Sequence, residues 1–148
     1  MSTEDNKALV RRFFEQIWNK HNLALVDELF SADYVDHDDF PPGIPPTRDG
    51  FKQFASMYFS GFPDGRIDIE EQVAEGDTVV SRWTGRATHT GEFMGIAPTG
   101  KQVVVGGINI NRVADGKLVE NWGQFDRLLM LQQLGVVPAP GQAPAAAR

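Results

Sequence analysis

The stretch Lys101 to Asp126, KQVVVGGININRVADGKLVENWGQFD, decides the fold. Two β-rich runs flank Ala114-Asp115-Gly116-Lys117, and Asp-Gly between such runs is a strong hairpin signal. The second run, LVENWGQFD, alternates with period two. That places Glu120, Trp122, Gln124 and Asp126 on one face. A bulge at Gly123 would break this phase. Turn length sets the register. A two- or four-residue loop puts Asn109 opposite Trp122, and a three-residue loop puts Ile110 there. Either Asn109 and Asn111 or Ile108 and Ile110 then face inward.

Working upstream, TVVSRWTGRATHTG reads as a long strand, broken or bulged near Gly85. RIDIEEQV alternates before an AEGD turn. Ahead of Gly65 the texture is helical. Ser2 and Thr3 start a helix whose Leu9, Val10, Phe13, Phe14, Ile17 and Trp18 form one apolar face. Asn22 can cap a second short helix through Leu29 and Phe30. Thr47 can cap a third, with Phe51, Phe54, Ala55, Tyr58 and Phe59 inward, closed by the turn FPDG. Between them lie ADYVDHDDF and PPGIPP. Four prolines in six residues exclude helix and central strand, leaving an ordered loop or a lid. Downstream, LLMLQQLG is a short helix stopped by Gly135. Helices followed by antiparallel strands make an α+β domain over 1–137, with a loose Pro/Ala-rich tail over 138–148. A curved sheet wrapped around helices encloses a pocket suited to a small ligand.

Composition narrows the function. The chain has 148 residues and a net charge of −6, which argues against a nucleic-acid partner. With no cysteine, disulfides, thiol catalysis and Cys-based zinc sites are excluded. No signal peptide is visible and no apolar run approaches a membrane span, so the expected location is cytoplasmic, without membrane association.

GIAPTGKQ, Gly95 to Gln102, imitates a phosphate-binding loop but has Gln102 where Ser or Thr is required. A strand, not a helix, follows it, so it reads as an inter-strand connection. His21 reads as a solvated linker residue. His37 stands beside Asp36, Asp38 and Asp39, a metal cluster or a solvated acidic loop, and the spacing favours no metal. His89 could reach the pocket mouth or bond the turn that follows. Arg82 could bind an oxyanion or lie exposed. Asp126 beside Trp122 and Gln124 has two readings. Against an apolar wall it is a carboxylate of raised pKa suited to general base work. Otherwise it caps the last helix.

Taken in order, ADYVDHD, GFPD, AEGDTVVSRWTGRATHTGEFMGIAPTGK, RVADGKLVENWGQFD and LQQLGVVP resemble the SnoaL-like polyketide cyclases, also called ester cyclases, of the nuclear transport factor 2 superfamily. The resemblance runs from about Leu9 to Pro138. It implies a cone-shaped fold: a strongly curved antiparallel sheet packed on helices around a deep cavity. It implies cofactor-free, metal-free intramolecular aldol ring closure on a polyketide-like carbonyl substrate, and pairing as a homodimer through the sheet. The family's general base is an aspartate placed after a tryptophan as Asp126 follows Trp122, which makes Asp126 the leading catalytic candidate. His37, Arg82, His89 and Gln124 are then candidates for enolate stabilisation. Trp18, Tyr58, Phe62, Trp83 and Trp122 are candidate aromatic walls for a small hydrophobic or polycyclic carbonyl ligand. The alternatives are a non-catalytic small-molecule binding protein of the same fold, or another lyase or isomerase.

Overall fold

A computed structural model describes residues 2–139 and 141. Helix α1 (Thr3–Arg12) opens on a reciprocal capping box, Ser2 with Asp5, and ends on Arg11 and Arg12, which suit the helix dipole. It runs on as a π-helical segment, Phe13–Asn19, that buries Phe13, Phe14 and Ile17. A short α2 (Val26–Leu29) leads into β1 (Phe30–Asp36). Then follow α3 (Arg48–Gly61), capped by Thr47, and strands β2 (Arg66–Glu75), β3 (Thr78–Thr88), β4 (Gln102–Ala114) and β5 (Lys117–Phe125). Helix α4 (Arg127–Gln133) closes the chain. The fold is α+β, a curved, unclosed five-stranded sheet of order β1-β5-β4-β3-β2. Among the described residues no helix is long and apolar enough to cross a membrane.

One element departs from the sequence reading. Phe30 and ADYVD form an edge strand, pairing in parallel with β5 rather than leaving a loop. Its buried residues are Phe30, Tyr34 and Asp36, with Val35 exposed between the last two. A charged residue thus stands inward and an apolar one outward, and the alternation that would mark a strand is hidden. The expected bulge near Gly85 is absent, since β3 and β4 pair without interruption there. The irregularity lies across the sheet between Ile69 and Glu71 of β2. Of the expected tail, only 138, 139 and 141 are described, and Pro138 accepts a hydrogen bond from Gln132.

The hairpin explains which face is inward. Its turn is the expected Asp115-Gly116 pair, both with positive φ, between paired Ala114 and Lys117. Yet Ile110, not Asn109, lies opposite Trp122. The register shifts by one residue between Arg112 and Val113, leaving Val119 as the extra residue of β5. That bulge reverses the faces of β5 beyond Leu118. Asn121, Gly123 and Phe125 turn inward, while Trp122 pairs with exposed Ile110. Strand β4 alternates strictly, with Val103, Val105, Gly107, Asn109 and Asn111 inward.

Two apolar clusters flank the interior. Val10, Phe13, Phe14, Ile17, Phe30 and Phe51 are in the first, Phe62, Phe93, Val103 and Met130 in the second. Trp83 packs against both.

Candidate active site

Between the two clusters lies a cavity of about 340 Å³. Trp18, Phe54, Tyr58, Phe59, Phe62, Trp83 and Phe125 make it predominantly aromatic. Asp38, Asn109 and Arg127 supply polar groups along its lining. Such a mix, apolar walls with a few convergent polar groups, is the usual form of a small-molecule site.

Helix α3 positions Tyr58 and Phe62 on one side. Trp18, from the π-helical segment, meets Phe54, Tyr58 and Phe59 edge-on at 5.7 to 6.4 Å. The Trp83 ring lies over its register partner Gly107, where an added Cβ would fall 2.2 Å from the indole. Gly107 is therefore a slot for that ring, which accounts for one glycine of the GGIN run.

The polar side is built from β1, β4 and β5. Asp36 is buried and accepts the Tyr34 hydroxyl at 2.6 Å and the Asp38 backbone N–H at 2.9 Å. Asn121 donates to Asp36 Oδ1 at 3.2 Å and to Asp38 Oδ2 at 3.1 Å. The Gly123 N–H donates to Asp38 Oδ1. Burial pushes Asp38 up to about 7, and the neighbouring Asp36 charge adds to the rise against the donors from Gly123 and Asn121. Burial and the Asp36 charge hold the Tyr34 phenol well above its ordinary value. Tyr58 is raised by burial to about 12, so its hydroxyl stays protonated and able to donate. Arg127 lines the same cavity, over the Phe125 ring and 3.9 Å from Asp39.

The structure brings some expected residues to this cavity and not others. Trp18, Tyr58, Phe62 and Trp83 line it, and Gln124 borders it while remaining exposed. Asp126 does not line it. Its exposed carboxylate accepts the Leu129 N–H at 3.0 Å and caps α4, which corrects its expected placement against an apolar wall. The physical reason is the β5 bulge together with the end of that strand at Phe125. Trp122 is likewise on the outer face, stacked on His37 at 4.5 Å with Arg112 above its ring. His37 bonds Glu120 at 2.8 Å there, away from the cavity. Arg82 is exposed and paired with Glu71 at 3.2 Å. His89 is fully buried as a latch, its Nδ1 accepting the Thr99 N–H at 3.2 Å and lying 3.0 Å from the Thr99 hydroxyl. It thereby ties GIAPTGKQ to the end of β3, and β4 follows that loop directly. Thr88 is held beside it by two 2.7 Å hydrogen bonds to Asp64, whose pKa they lower.

Asp38 and Arg127 are the additions, while Asn109 faces inward as one of the two alternatives the sequence left open. Asp38 lies two residues beyond β1, where its N–H bonds Asp36 Oδ1 and its carboxylate meets Asn121 and Gly123; the sequence marks it only as part of the acidic run after ADYVD. His21, expected in solvent, stacks on Phe59 at 4.0 Å and lines the cavity. Among the described residues no group of three or more His, Cys, Asp or Glu is gathered to hold a metal ion.

The chain matches the family model for SnoaL-like polyketide cyclases over residues 8–134. No curated protein matches it. Among solved structures it is similar to IdmH of Streptomyces antibioticus, a candidate polyketide cyclase, at 34% identity and a TM-score of 0.77, covering 88% of this chain and 98% of that one. A candidate polyketide cyclase of Acidithiobacillus ferrooxidans is 30% identical with a TM-score of 0.79, covering 92% of this chain and 99% of that one. AclR of Streptomyces galilaeus, a candidate hydroxylase, is 31% identical with a TM-score of 0.80, covering 93% and 85%. With the family pattern matched over most of its length, the chain belongs to the SnoaL-like polyketide cyclase family.

Proposed function

We propose that the cavity performs acid–base chemistry on a carbonyl compound, closing a ring by intramolecular aldol addition without metal or organic cofactor. One observation carries this reading: Asp38 is a carboxylate in the cavity wall, held by Asn121 and the Gly123 N–H, and burial there pushes its pKa up to about 7, into the range that suits a general base. Asp38 takes the proton α to a carbonyl. The resulting enolate carbon attacks a second carbonyl carbon of the same substrate, and the alkoxide so formed recovers a proton. Arg127 and the neutral Tyr58 hydroxyl supply donors for the enolate oxygen. The aromatic walls suit a flat, conjugated ligand. We further propose that two copies pair through the outer sheet face, where Val73, Val80, Ile110 and Trp122 form a row across four strands. That row is bordered by the Arg82–Glu71 and Arg112–Glu120 pairs, a mixed-charge surface that meets its own copy without net repulsion.

The test is deuterium exchange at the α-carbon of an aromatic β-keto ester, followed by NMR. Wild-type protein should accelerate exchange, and Asp38→Asn should lose about 10²-fold or more, whereas Asp126→Asn should retain it. Binding of the ester without exchange supports the binding-protein alternative. Loss in Asp126→Asn with retention in Asp38→Asn returns the base role to Asp126.

A further inference from the structure

The amides between Trp83 and the acid pair form a chain with a fixed direction. Trp83 Nε1–H donates to Asn109 Oδ1 at 2.7 Å. Asn109 Nδ2 donates to Asn121 Oδ1 at 2.8 Å, and Asn121 Nδ2 reaches both Asp36 and Asp38. An asparagine amide can be turned end for end, but an indole N–H only donates. Asn109 must therefore present its oxygen to Trp83 and its NH2 group to Asn121. Asn121 in turn must present its NH2 group to the acids. Asn111 also donates to Asn121 Oδ1, at 3.1 Å, but its own buried carbonyl has no partner, so nothing beyond the chain fixes its direction. Trp83 is the anchor that cannot reverse, and Gly107 and Gly85 leave the space that sets its ring.

We propose that Trp83 is a positioning residue: through Asn109 and Asn121 its indole N–H holds a donor on the Asp36–Asp38 pair, keeping one carboxylate ionised and open to the cavity. This rests on reading Asp38 as the acid–base group. If Asp38 took up a proton at Oδ2, the carboxylic O–H would seek an acceptor where Asn121 now offers hydrogen. Trp83 opposes the flip that would supply one. The other charged or titratable groups around Asp38 are Tyr34 and Asp36 of β1, Asp39, Tyr58 of α3 and Arg127 of α4, with His21, Arg66 and Arg86 lining the same cavity. Strands β3 and β4 reach the pair through the uncharged Trp83 and Asn109.

The experiment is an NMR titration of the ligand-free protein, reading the Asp38 side-chain carboxyl carbon and the Trp83 indole ¹⁵N–¹H resonance from pH 5 to 9. In the wild type the indole resonance should move with the same midpoint as Asp38. In Trp83→Phe, which keeps an aromatic wall but loses the N–H, the Asp38 midpoint should rise by about half a pH unit or more. Asn109→Leu should raise it similarly. An indole resonance that stays fixed while Asp38 titrates overturns the proposal, and this reading needs no variant to fold. An unchanged midpoint in both folded variants also overturns it. Because the titration uses no substrate, its failure is distinct from failure of the exchange assay: Asp38 could remain the base with Trp83 only a wall.

Discussion

The carboxylate of Asp38 occupies the space that a side chain at Gly123 would need. An added Cβ there would fall 2.7 Å from Asp38 Oδ1, 3.0 Å from Oδ2 and 3.0 Å from Asn109 Nδ2. The φ of Gly123 is not among the positive values, so glycine is required for room, not for backbone freedom. The absent side chain lets the β5 backbone N–H reach the carboxylate directly. The acid thus sits in the cavity wall rather than in solvent, and the burial that raises its pKa follows from that seat.

Gly123→Ala should displace Asp38 and break its hydrogen bond to the strand. Overpacking of this kind costs about 1–3 kcal/mol. A fall of that size in urea unfolding, with loss of the Asp38 titration near 7, is the expected result. An alanine variant with wild-type stability and titration would mean the carboxylate is not seated against β5.

The same carboxylate imposes a pH dependence on stability. Its folded-state pKa of about 7 lies above the ordinary 3.8, so between those values the native state binds more protons than the unfolded chain. Its contribution is therefore present below about 4 and is lost as pH rises through about 7. Asp5, Asp27 and Asp64 have lowered pKa values, and their contributions are lost only as pH falls below the ordinary carboxylate range. Urea melts from pH 4.5 to 7.5 should show stability declining with pH, and Asp38→Asn should remove that slope. A wild-type curve that is flat or rising across this window would contradict a raised Asp38.

The sequence carried the helices, the four long strands, the Asp-Gly turn and the aromatic walls Trp18, Tyr58, Phe62 and Trp83, because periodicity and turn chemistry are local signals. It did not carry the face of β5. Glu120, Trp122 and Gln124 do share a face, but the bulge at Val119 turns that face outward. A single unpaired residue of ordinary β character leaves no mark in a sequence. Asp38 was hidden for another reason. Its seat depends on β1 pairing with β5 and on Gly123, 85 residues away, and such long-range partners are set by tertiary packing.

Asp126 offers a direct separation of two roles. As the N-cap of α4 it satisfies the Leu129 N–H, and truncating a cap costs about 1 kcal/mol. Asp126→Ala should show that loss in urea unfolding while leaving the Asp38 midpoint in place. Asp126→Asn, which can still cap, should recover most of the stability. A shift of the Asp38 midpoint in either variant would place Asp126 electrostatically at the cavity, contrary to its exposed position.

The outer face of the sheet can be tested without touching the interior. Ile110 is 39% exposed and Ile108 48%, on the side of β4 opposite to Asn109 and Asn111. Across the neighbouring strands Ile110 meets Val80 and Trp122, and Val80 meets Val73, which is 56% exposed. A charge placed in the middle of that row would be left desolvated if two copies met there. Sedimentation should therefore find the wild type as a dimer and Ile110→Glu as a monomer. The Asp38 midpoint should be unchanged in the variant, since the substitution lies across the sheet from the acid pair. A wild type that sediments as a monomer would remove the proposed pairing and leave the cavity chemistry standing, because every residue assigned to that chemistry comes from one chain.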